Sequence, residues 1–430
     1  MKSTNILEEN LNKITEVNGI NVYNIKSNRF KTNTINVFFQ DNLSNDSVAL
    51  NALFPSVLRR GCKGLPTIKE VNLYLEDLYG AVFDCGIVKK GEKQIIHFYF
   101  EYVADKFASD GQRNFEKALS FLLNIIFNPA LQDGSFNQQY VDQEKNNLKM
   151  LIESRTNDKV QYALDRCYEL MCKNEPFGIY EYGTIKQIES ITSKELYNHY
   201  KEKVSTLPMD IFISGELSDR DIEMLKNSLK NINRSTPKGL VKSIVKKCIN
   251  KVNYFEDAMD VNQAKLSLGF RTNITAKEDD YYALLVYNGI LGGGMHSKLF
   301  QNVREKAGLA YYVFAGLEKI KGLMIIGSGI DIKERDHAKE LILKQLDEIQ
   351  EGNITDYEFE STIKSLETGI QSLKDSQLQV VDFYLSQLIA ETHDTLEGLL
   401  SKIKKVTKQD VIRISKKIQL DTEYFLTSKS

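Results

Sequence analysis

The sequence predicts an α+β protein built from two similar domains, each a largely antiparallel sheet covered by helices. Three observations favour this class. The chain has 430 residues, which exceeds one ordinary compact domain. Extended segments with alternating apolar and polar residues are interspersed with amphipathic helical segments. The same order of strands and helices occurs twice along the chain, with weak identity between the copies.

Each copy opens with two predicted strands. These segments are GINVYNIKSN and TNTINVFFQ in the first copy, and VNYFEDAM and QAKLSLGFRT in the second. Two helices follow, over 47–60 and 68–78 in the first copy and over 279–291 and 297–306 in the second. Two strands, further helices and a closing strand complete each copy. Residues 231–246 are turn-rich and basic, so they are the predicted linker between domains 1–230 and 247–430.

Composition excludes several classes of function. Lys and Arg number 56 against 58 Asp and Glu, so no global charge favours nucleic acid. No run approaches the roughly 18 apolar residues of a membrane span, and the N-terminal residues do not predict export. The five cysteines include no C-x-x-C pair, which favours reduced thiols and a cytoplasmic location over a disulfide framework.

The most specific string starts with Gly292-Gly293-Gly294 and continues as MHSKLFQNVREKAGLAYYVFA. A glycine run before a helix either cradles an anion on free N–H groups or forms a tight turn between packed elements. The phosphate-binding pattern G-x-x-x-x-G-K-[ST] is absent, so we reject a nucleotide site here.

This string resembles the C-terminal-domain signature of the insulinase/pitrilysin peptidase superfamily, and LRRGCKGLP at 58–66 and LEDLYGA at 75–81 resemble segments of its N-terminal domain. The resemblance covers essentially the whole chain. It implies two mitochondrial-processing-peptidase-like domains that form a clamshell. It also implies that Arg304 and Tyr311, with the glycine turn, hold an extended peptide substrate. On the residues alone, Arg304 would be a surface arginine paired with Glu305, and Tyr311 a core aromatic.

Catalytic members of this superfamily carry H-x-x-E-H on the first helix, where two histidines bind zinc and the glutamate is the general base. Alignment on Gly61 puts Ala52, Pro55 and Ser56 at those three positions. Glu144 falls where the family has its third zinc ligand, and is interpreted as a relic or a carboxylate on a helix surface. The resemblance therefore implies no metal in this chain.

Other catalytic arrangements are not indicated. The five histidines are scattered, and His199 with Glu202 gives only H-x-x-E, which we interpret as a solvated helix face. A G-x-S-x-G nucleophile motif is absent, and neither Cys62 nor Cys85 has the sequence context of a catalytic thiol.

The sequence thus predicts a non-catalytic, peptide-binding subunit that works with a partner carrying H-x-x-E-H, so that zinc is expected only in the partner. The chain most resembles metal-less insulinase-like proteins of Gram-positive bacteria, which are associated with elongation factor P modification or with peptide-antibiotic maturation. The resemblance does not choose between these pathways. The alternatives are a scaffold or binding protein with no proteolytic partner and, least favoured, an independent enzyme with different chemistry.

Overall fold

The computed structural model describes residues 10–109 and 111–429. They form two compact units. The first comprises the residues up to 153 with 179–241 and 377–384, and the second comprises 154–178, 242–376 and the residues from 385. The passage from one unit to the other at 241–242 lies within the predicted linker. Residues 154–178 and 377–384, however, group with the unit opposite to that of their neighbours in sequence.

Strands and helices alternate along the chain in the order that the repeat predicts. The strands are β1 Leu11–Val17, β2 Ile20–Ile25, β3 Thr32–Asn42, β4 Val82–Lys90, β5 Lys93–Val103, β6 Met209–Ser214, β7 Asn253–Met259, β8 Ala264–Arg271, β9 Ala310–Glu318, β10 Leu323–Ile330 and β11 Gln419–Ser428. The helices are α1 Val48–Leu58, α2 Ile68–Asp77, α3 Asn114–Phe127, α4 Gln138–Ser154, α5 Lys159–Met171, α6 Ile185–Ser190, α7 Ser193–Thr206, α8 Asp219–Lys230, α9 Asp280–Gly292, α10 Arg335–Gln350, α11 Asp356–Leu373, α12 Gln377–Ile389, α13 Leu396–Ile403 and α14 Lys408–Ser415. A π-helix spans Leu299–Lys306. Across the described residues, no helix combines the length and the apolar character needed to cross a membrane.

The first unit is built on a six-stranded sheet in the order β1-β2-β6-β3-β5-β4. Only β2 and β6 pair in parallel, so the predicted antiparallel character is confirmed. Helices α1 and α3 pack on β5 through buried apolar side chains, among them Phe54, Phe98 and Leu122. Strand β4 lies at one edge of this sheet, which leaves one side of its backbone without a strand partner.

The second unit has a five-stranded sheet in the order β7-β11-β8-β10-β9, in which only β7 and β11 are parallel. Helix α5 packs on β8 and β11, and its buried Ala163 and Cys167 belong to one apolar cluster with Tyr424. Strand β9 forms one edge of the sheet and follows directly on the π-helix. The two-domain α+β prediction is therefore confirmed.

The turns that precede β4 and β9 each contain a glycine where a helix ends. Gly80 and Gly308 have φ of 68° and 65°, the left-handed conformation expected of glycine after a helix. The predicted helix over 297–306 differs in type, because residues from Leu299 are wound as a π-helix. One of its bonds runs from the N–H of Ala307 to the carbonyl of Asn302, 3.2 Å away.

The second unit contains a buried cluster of charges centred on Glu175. The guanidinium Nη2 of fully buried Arg271 donates to Glu175 Oε1 at 2.6 Å, and its Nε donates to Asp421 Oδ2 at 2.9 Å. The ammonium groups of Lys321 and Lys247 each lie 2.8 Å from the Glu175 carboxylate. Burial alone would raise the pKa of Glu175, but these three cations lower it from 4.5 to about 2.

We expect Glu175→Gln to destabilise the second unit by about 3 kcal/mol at pH 7, because the depressed pKa stabilises the charged folded form and the variant leaves buried cations less compensated. Since the folded-state pKa lies below the unfolded one, this contribution is present above pH 4.5. It is lost as the pH falls towards 2. Urea unfolding followed by circular dichroism at pH 7 and pH 2.5 measures it. Glu391→Gln, which removes an exposed ion pair to Lys277, is the control. Equal stability of Glu175→Gln and wild type at pH 7 would contradict the assignment.

Candidate functional site

The three positions that replace H-x-x-E-H lie on α1. Residues 52 and 56 are one helical turn apart and so share a face of the helix. Ser56 lines a cavity of about 330 Å³, whereas Ala52 and Pro55 are buried. Methyl and pyrrolidine groups have no lone pair, and a serine hydroxyl is a poor zinc ligand. This face of α1 therefore offers no effective metal ligand.

Glu144 lines the same cavity from α4. Its Oε1 accepts hydrogen bonds from both Nε of Arg60, at 2.5 Å, and Nη2 of the same guanidinium. Asn147 donates to Oε2 at 3.1 Å, and the guanidinium lies 5.7 Å from the ring centroid of Tyr140. The Glu144 side chain is only 12% exposed. It is thus a mostly buried acid with its own counter-charge and not a carboxylate on a solvated helix surface.

Arg60 supplies the positive charge that a metal ion would bring to Glu144. A guanidinium stays protonated and has no lone pair with which to coordinate a metal. Arg59 adds a second guanidinium to the cavity wall, 3.1 Å from the carboxylate of Asp84. Over residues 10–109 and 111–429, no group of three or more His, Cys, Asp and Glu side chains is arranged to hold a metal. The residues present do not fit a zinc ion.

The sequence analysis does not single out Arg60 as a site residue. Arg60 lies just beyond the end of α1, in a turn, so no helical spacing relates it to Ser56. The structure places it beside Ser56 on the wall of the same cavity. Nor does any local pattern in the sequence identify Glu144, far away along the chain, as its partner.

His199 lies beside α1, so the interpretation of its H-x-x-E as a solvated helix face is wrong for the histidine, although Glu202 is exposed in an ion pair with Lys238. Its Nε2 lies 2.7 Å from Oδ1 of Asn51, which is fully buried and donates to Asp41 at 2.9 Å. Burial and the neighbouring Lys203 lower the pKa of His199 to about 4. A neutral imidazole in a satisfied hydrogen-bond network links α7 to α1, and it plays a structural part.

The glycine turn of the second unit is a packing device. A Cβ at Gly292 would lie 2.4 Å from the backbone N of Ala315 in β9. A Cβ at Gly293 would lie 2.7 Å from Cα of Gly289. A side chain at Gly292 would push α9 away from β9, whereas one at Gly293 would clash with the last turn of α9 itself. Gly294 has more space, with the ring of His296 at 3.4 Å.

Arg304 lies on the π-helix with its side chain 42% exposed. Its guanidinium stands 4.7 Å from the ring centroid of Phe300, one turn earlier, and 3.8 Å from the carboxylate of Glu305. An exposed ion pair at that distance contributes little. The guanidinium is therefore held by stacking on an aromatic ring while most of its donors remain available.

Tyr311 stands at a β-bulge near the start of edge strand β9. In the pairing with β10, Gly329 opposes Tyr312 and Ile330 opposes Ala310, so Tyr311 is the extra residue. Its side chain is 60% exposed, and the expectation of a core aromatic does not hold. The π-helix that carries Arg304 packs on β9, the strand that carries Tyr311. The two residues therefore lie on neighbouring elements of the second unit.

We expect Arg60→Ala to destabilise the first unit by about 2–4 kcal/mol, because it leaves the mostly buried Glu144 carboxylate without a counter-charge. Adding Glu144→Gln should recover most of that loss, since a neutral amide needs no cation. Urea unfolding of the two single variants and the double variant measures the coupling. Arg59→Ala, which removes an exposed pair, is the matched control. If the losses in the free energy of unfolding of the two single variants simply add in the double variant, the ion pair does not stabilise the first unit.

Comparisons with known proteins agree with this geometry. The sequence profile described as "Peptidase M16 inactive domain" matches residues 190–366. The chain is 34% identical over 410 residues to the "Probable inactive metalloprotease YmfF" of Bacillus subtilis, with 95% of this chain and 96% of that protein covered. It is 24% identical over 312 residues to the "Uncharacterized zinc protease YmxG" of the same organism, covering 71% and 73% of the two chains.

Solved structures share the fold over the full chain. A conserved protein from Enterococcus faecalis V583 superimposes with a TM-score of 0.90 at 29% identity, covering 98% of this chain and 99% of that one. A peptidase M16 inactive domain from Pseudomonas fluorescens gives a TM-score of 0.79 at 17% identity, covering 98% and 99%. With the profile match and the 34% identical relative, the chain belongs to the peptidase M16 inactive domain family and is a non-catalytic, insulinase-like member of it.

Proposed function

We propose that this chain is the peptide-binding, non-catalytic subunit of a heterodimeric M16 zinc peptidase. The partner carries H-x-x-E-H and the zinc, and this chain carries Arg304 and Tyr311. The division follows from the chemistry of the two units. The first unit has a guanidinium where catalysis needs a metal, and the second leaves two strong hydrogen-bonding side chains uncommitted.

The observation that carries the proposal is Tyr311. A tyrosine that only stabilised the fold would bury its ring, because burial of an aromatic side chain is a large source of stability. Here a β-bulge turns the ring outward at 60% exposure. Bulges are frequent next to binding sites, where they redirect a side chain. The phenol hydroxyl is thus presented to a ligand at the edge of the sheet.

Arg304 suits the same ligand. Its planar guanidinium has five N–H donors, and peptide carbonyl groups accept such bonds. Stacking on Phe300 restricts the guanidinium before a ligand binds. Less conformational freedom is then lost on binding, which favours affinity.

An extended peptide is the ligand class that edge strands favour. Strands β4 and β9 are edges of their sheets, and the exposed backbone of an edge can pair with an added strand. Gly292 brings α9 close to β9 and so determines where that edge lies. In this proposal the glycine turn places the binding strand and does not itself hold the peptide.

We also place the complex in the cytoplasm. All five cysteines are free, and Cys62, Cys167 and Cys172 are buried thiols. Free thiols are typical of proteins from reducing compartments. This compartment is part of the proposal and independent of the peptide-binding role.

The test is peptidase activity of this chain in zinc, alone and mixed with an M16 protein that carries H-x-x-E-H and is encoded beside it. We expect cleavage of an internally quenched, unstructured peptide only in the mixture. Arg304→Ala should lower kcat/KM about 10–100-fold and Tyr311→Phe about 3–10-fold, through loss of hydrogen bonds to the bound peptide.

Arg413→Ala and Tyr357→Phe are the matched controls, because both residues are exposed in the same unit. They should leave kcat/KM within about twofold, as expected of surface substitutions. Absence of a complex and of activity in the mixture would favour a scaffold that has no proteolytic partner. Zinc-dependent cleavage by this chain alone would contradict the proposal outright.

A further inference from the structure

Helix α11 contacts the glycine turn at two points. Nε2 of His296 lies 2.9 Å from the Thr362 hydroxyl, and Nζ of Lys298 lies 3.0 Å from Oε1 of Glu358. Residues 358 and 362 are one helical turn apart and share a face of α11. We call these four residues the turn clamp. The clamp ties the segment before the π-helix to a long helix from a distant part of the sequence.

The ion pair of the turn clamp is buried, and both oxygens of its carboxylate have partners. The side chains of Lys298 and Glu358 are 7% and 13% exposed. The second carboxylate oxygen of Glu358 accepts from the N–H and the hydroxyl of Thr355, at 2.8 and 3.0 Å, in the capping box of α11. Both oxygens are therefore committed, and the carboxylate is a fixed point for the ammonium group.

The hydroxyl of the clamp is equally fixed. Thr362 is fully buried, and a Cβ at Gly289 of α9 would lie 2.4 Å from its methyl group. The two helices therefore approach each other so closely here that only glycine fits at position 289. His296 is thereby bonded to a group whose position the core determines.

The clamp stands immediately before the π-helix that carries Arg304. Leu299, the first residue of that helix, follows Lys298 directly and is fully buried. In the middle of the helix, Asn302 donates to Gln345 of α10 at 2.6 Å. Wider π-type turns are rare and frequently occur at functional sites. The first turn of this π-helix is held from both ends, by α11 through Lys298 and by α10 through Asn302.

We propose that Lys298, Glu358, His296 and Thr362 are positioning residues for substrate, which act by fixing the direction of the Arg304 side chain. The inference rests on the proposed function and adds residues that the sequence motif does not include. Replacing a buried ion pair by apolar groups of similar volume is often neutral or favourable for stability. The charged pair therefore contributes geometry that an apolar pair would not define.

The test uses variants that keep shape and the capping box. Thr362→Val removes the hydroxyl and keeps the methyl contact with Gly289. Lys298→Met with Glu358→Gln removes both charges, and glutamine can still close the capping box. The control is Lys404→Met with Glu367→Gln, an exposed ion pair that joins the end of α13 to Glu367 on α11.

The first readout needs no partner. Hydrogen exchange of the amides of residues 302–307 in the isolated chain should become about tenfold faster in both clamp variants, while the unfolding midpoint in urea stays near that of the control. Unchanged protection of these amides would overturn the inference, whatever the result of the activity assay.

The second readout separates positioning from stability. In the mixture with the zinc-bearing protein, the clamp variants should raise KM about 5–10-fold with kcat within about twofold. In an Arg304→Ala background the same changes should add less than about twofold, since residues that act through one another are not additive. The single variant Lys298→Arg keeps the positive charge, so its KM should stay at the wild-type value.

Full additivity with Arg304→Ala would show that the clamp does not act through the arginine, and would overturn the inference while the proposed function stands. A wild-type KM for Arg304→Ala itself would instead refute the proposed function. Because the exchange measurement does not depend on a peptide, the two failures are distinguishable.

Discussion

The ion pair between Arg60 and Glu144 is the interaction on which the character of the first unit depends. A mostly buried carboxylate needs a positive partner, and in a metal site that partner is the ion. Here the guanidinium provides it, with the side chain of Glu144 only 12% exposed. The cavity thus satisfies its acid without a metal. The difference from H-x-x-E-H is therefore not limited to α1, because the guanidinium of Arg60 lies beside Ser56 in the same cavity.

The second unit uses buried charge for a different purpose. Glu175 collects three cations and connects residues from separate parts of the chain, whereas Glu358 holds one ammonium group and the start of its own helix. In each case both carboxylate oxygens are occupied, which is the condition under which buried charge is tolerated. Such pairs define geometry more than they add stability. One of them lies directly before the π-helix that carries Arg304.

Much of the fold was predictable, because strand alternation, helix spacing and the repeated order of elements are local signals. The left-handed glycines at 80 and 308 were predictable for the same reason. The partners of Glu144 and of Lys298 were not, since each ion pair joins residues far apart in sequence. The π-helix also escaped prediction, because its apolar spacing over 299–306 is close to that of an α-helix and tertiary contacts decide the winding. His199 was misread because its burial depends on Asn51 in another helix.

A subunit that makes and breaks no bond can still contribute to a reaction. Holding a peptide in the orientation that a catalytic centre needs removes an entropic barrier of several kcal/mol, and that contribution depends on how rigidly the holding groups are placed. In the proposed function, such rigidity accounts for an exposed tyrosine on a bulge and for a π-helix in place of an α-helix. In the proposed function, this rigidity fixes the positions from which Arg304 and Tyr311 would contact a peptide.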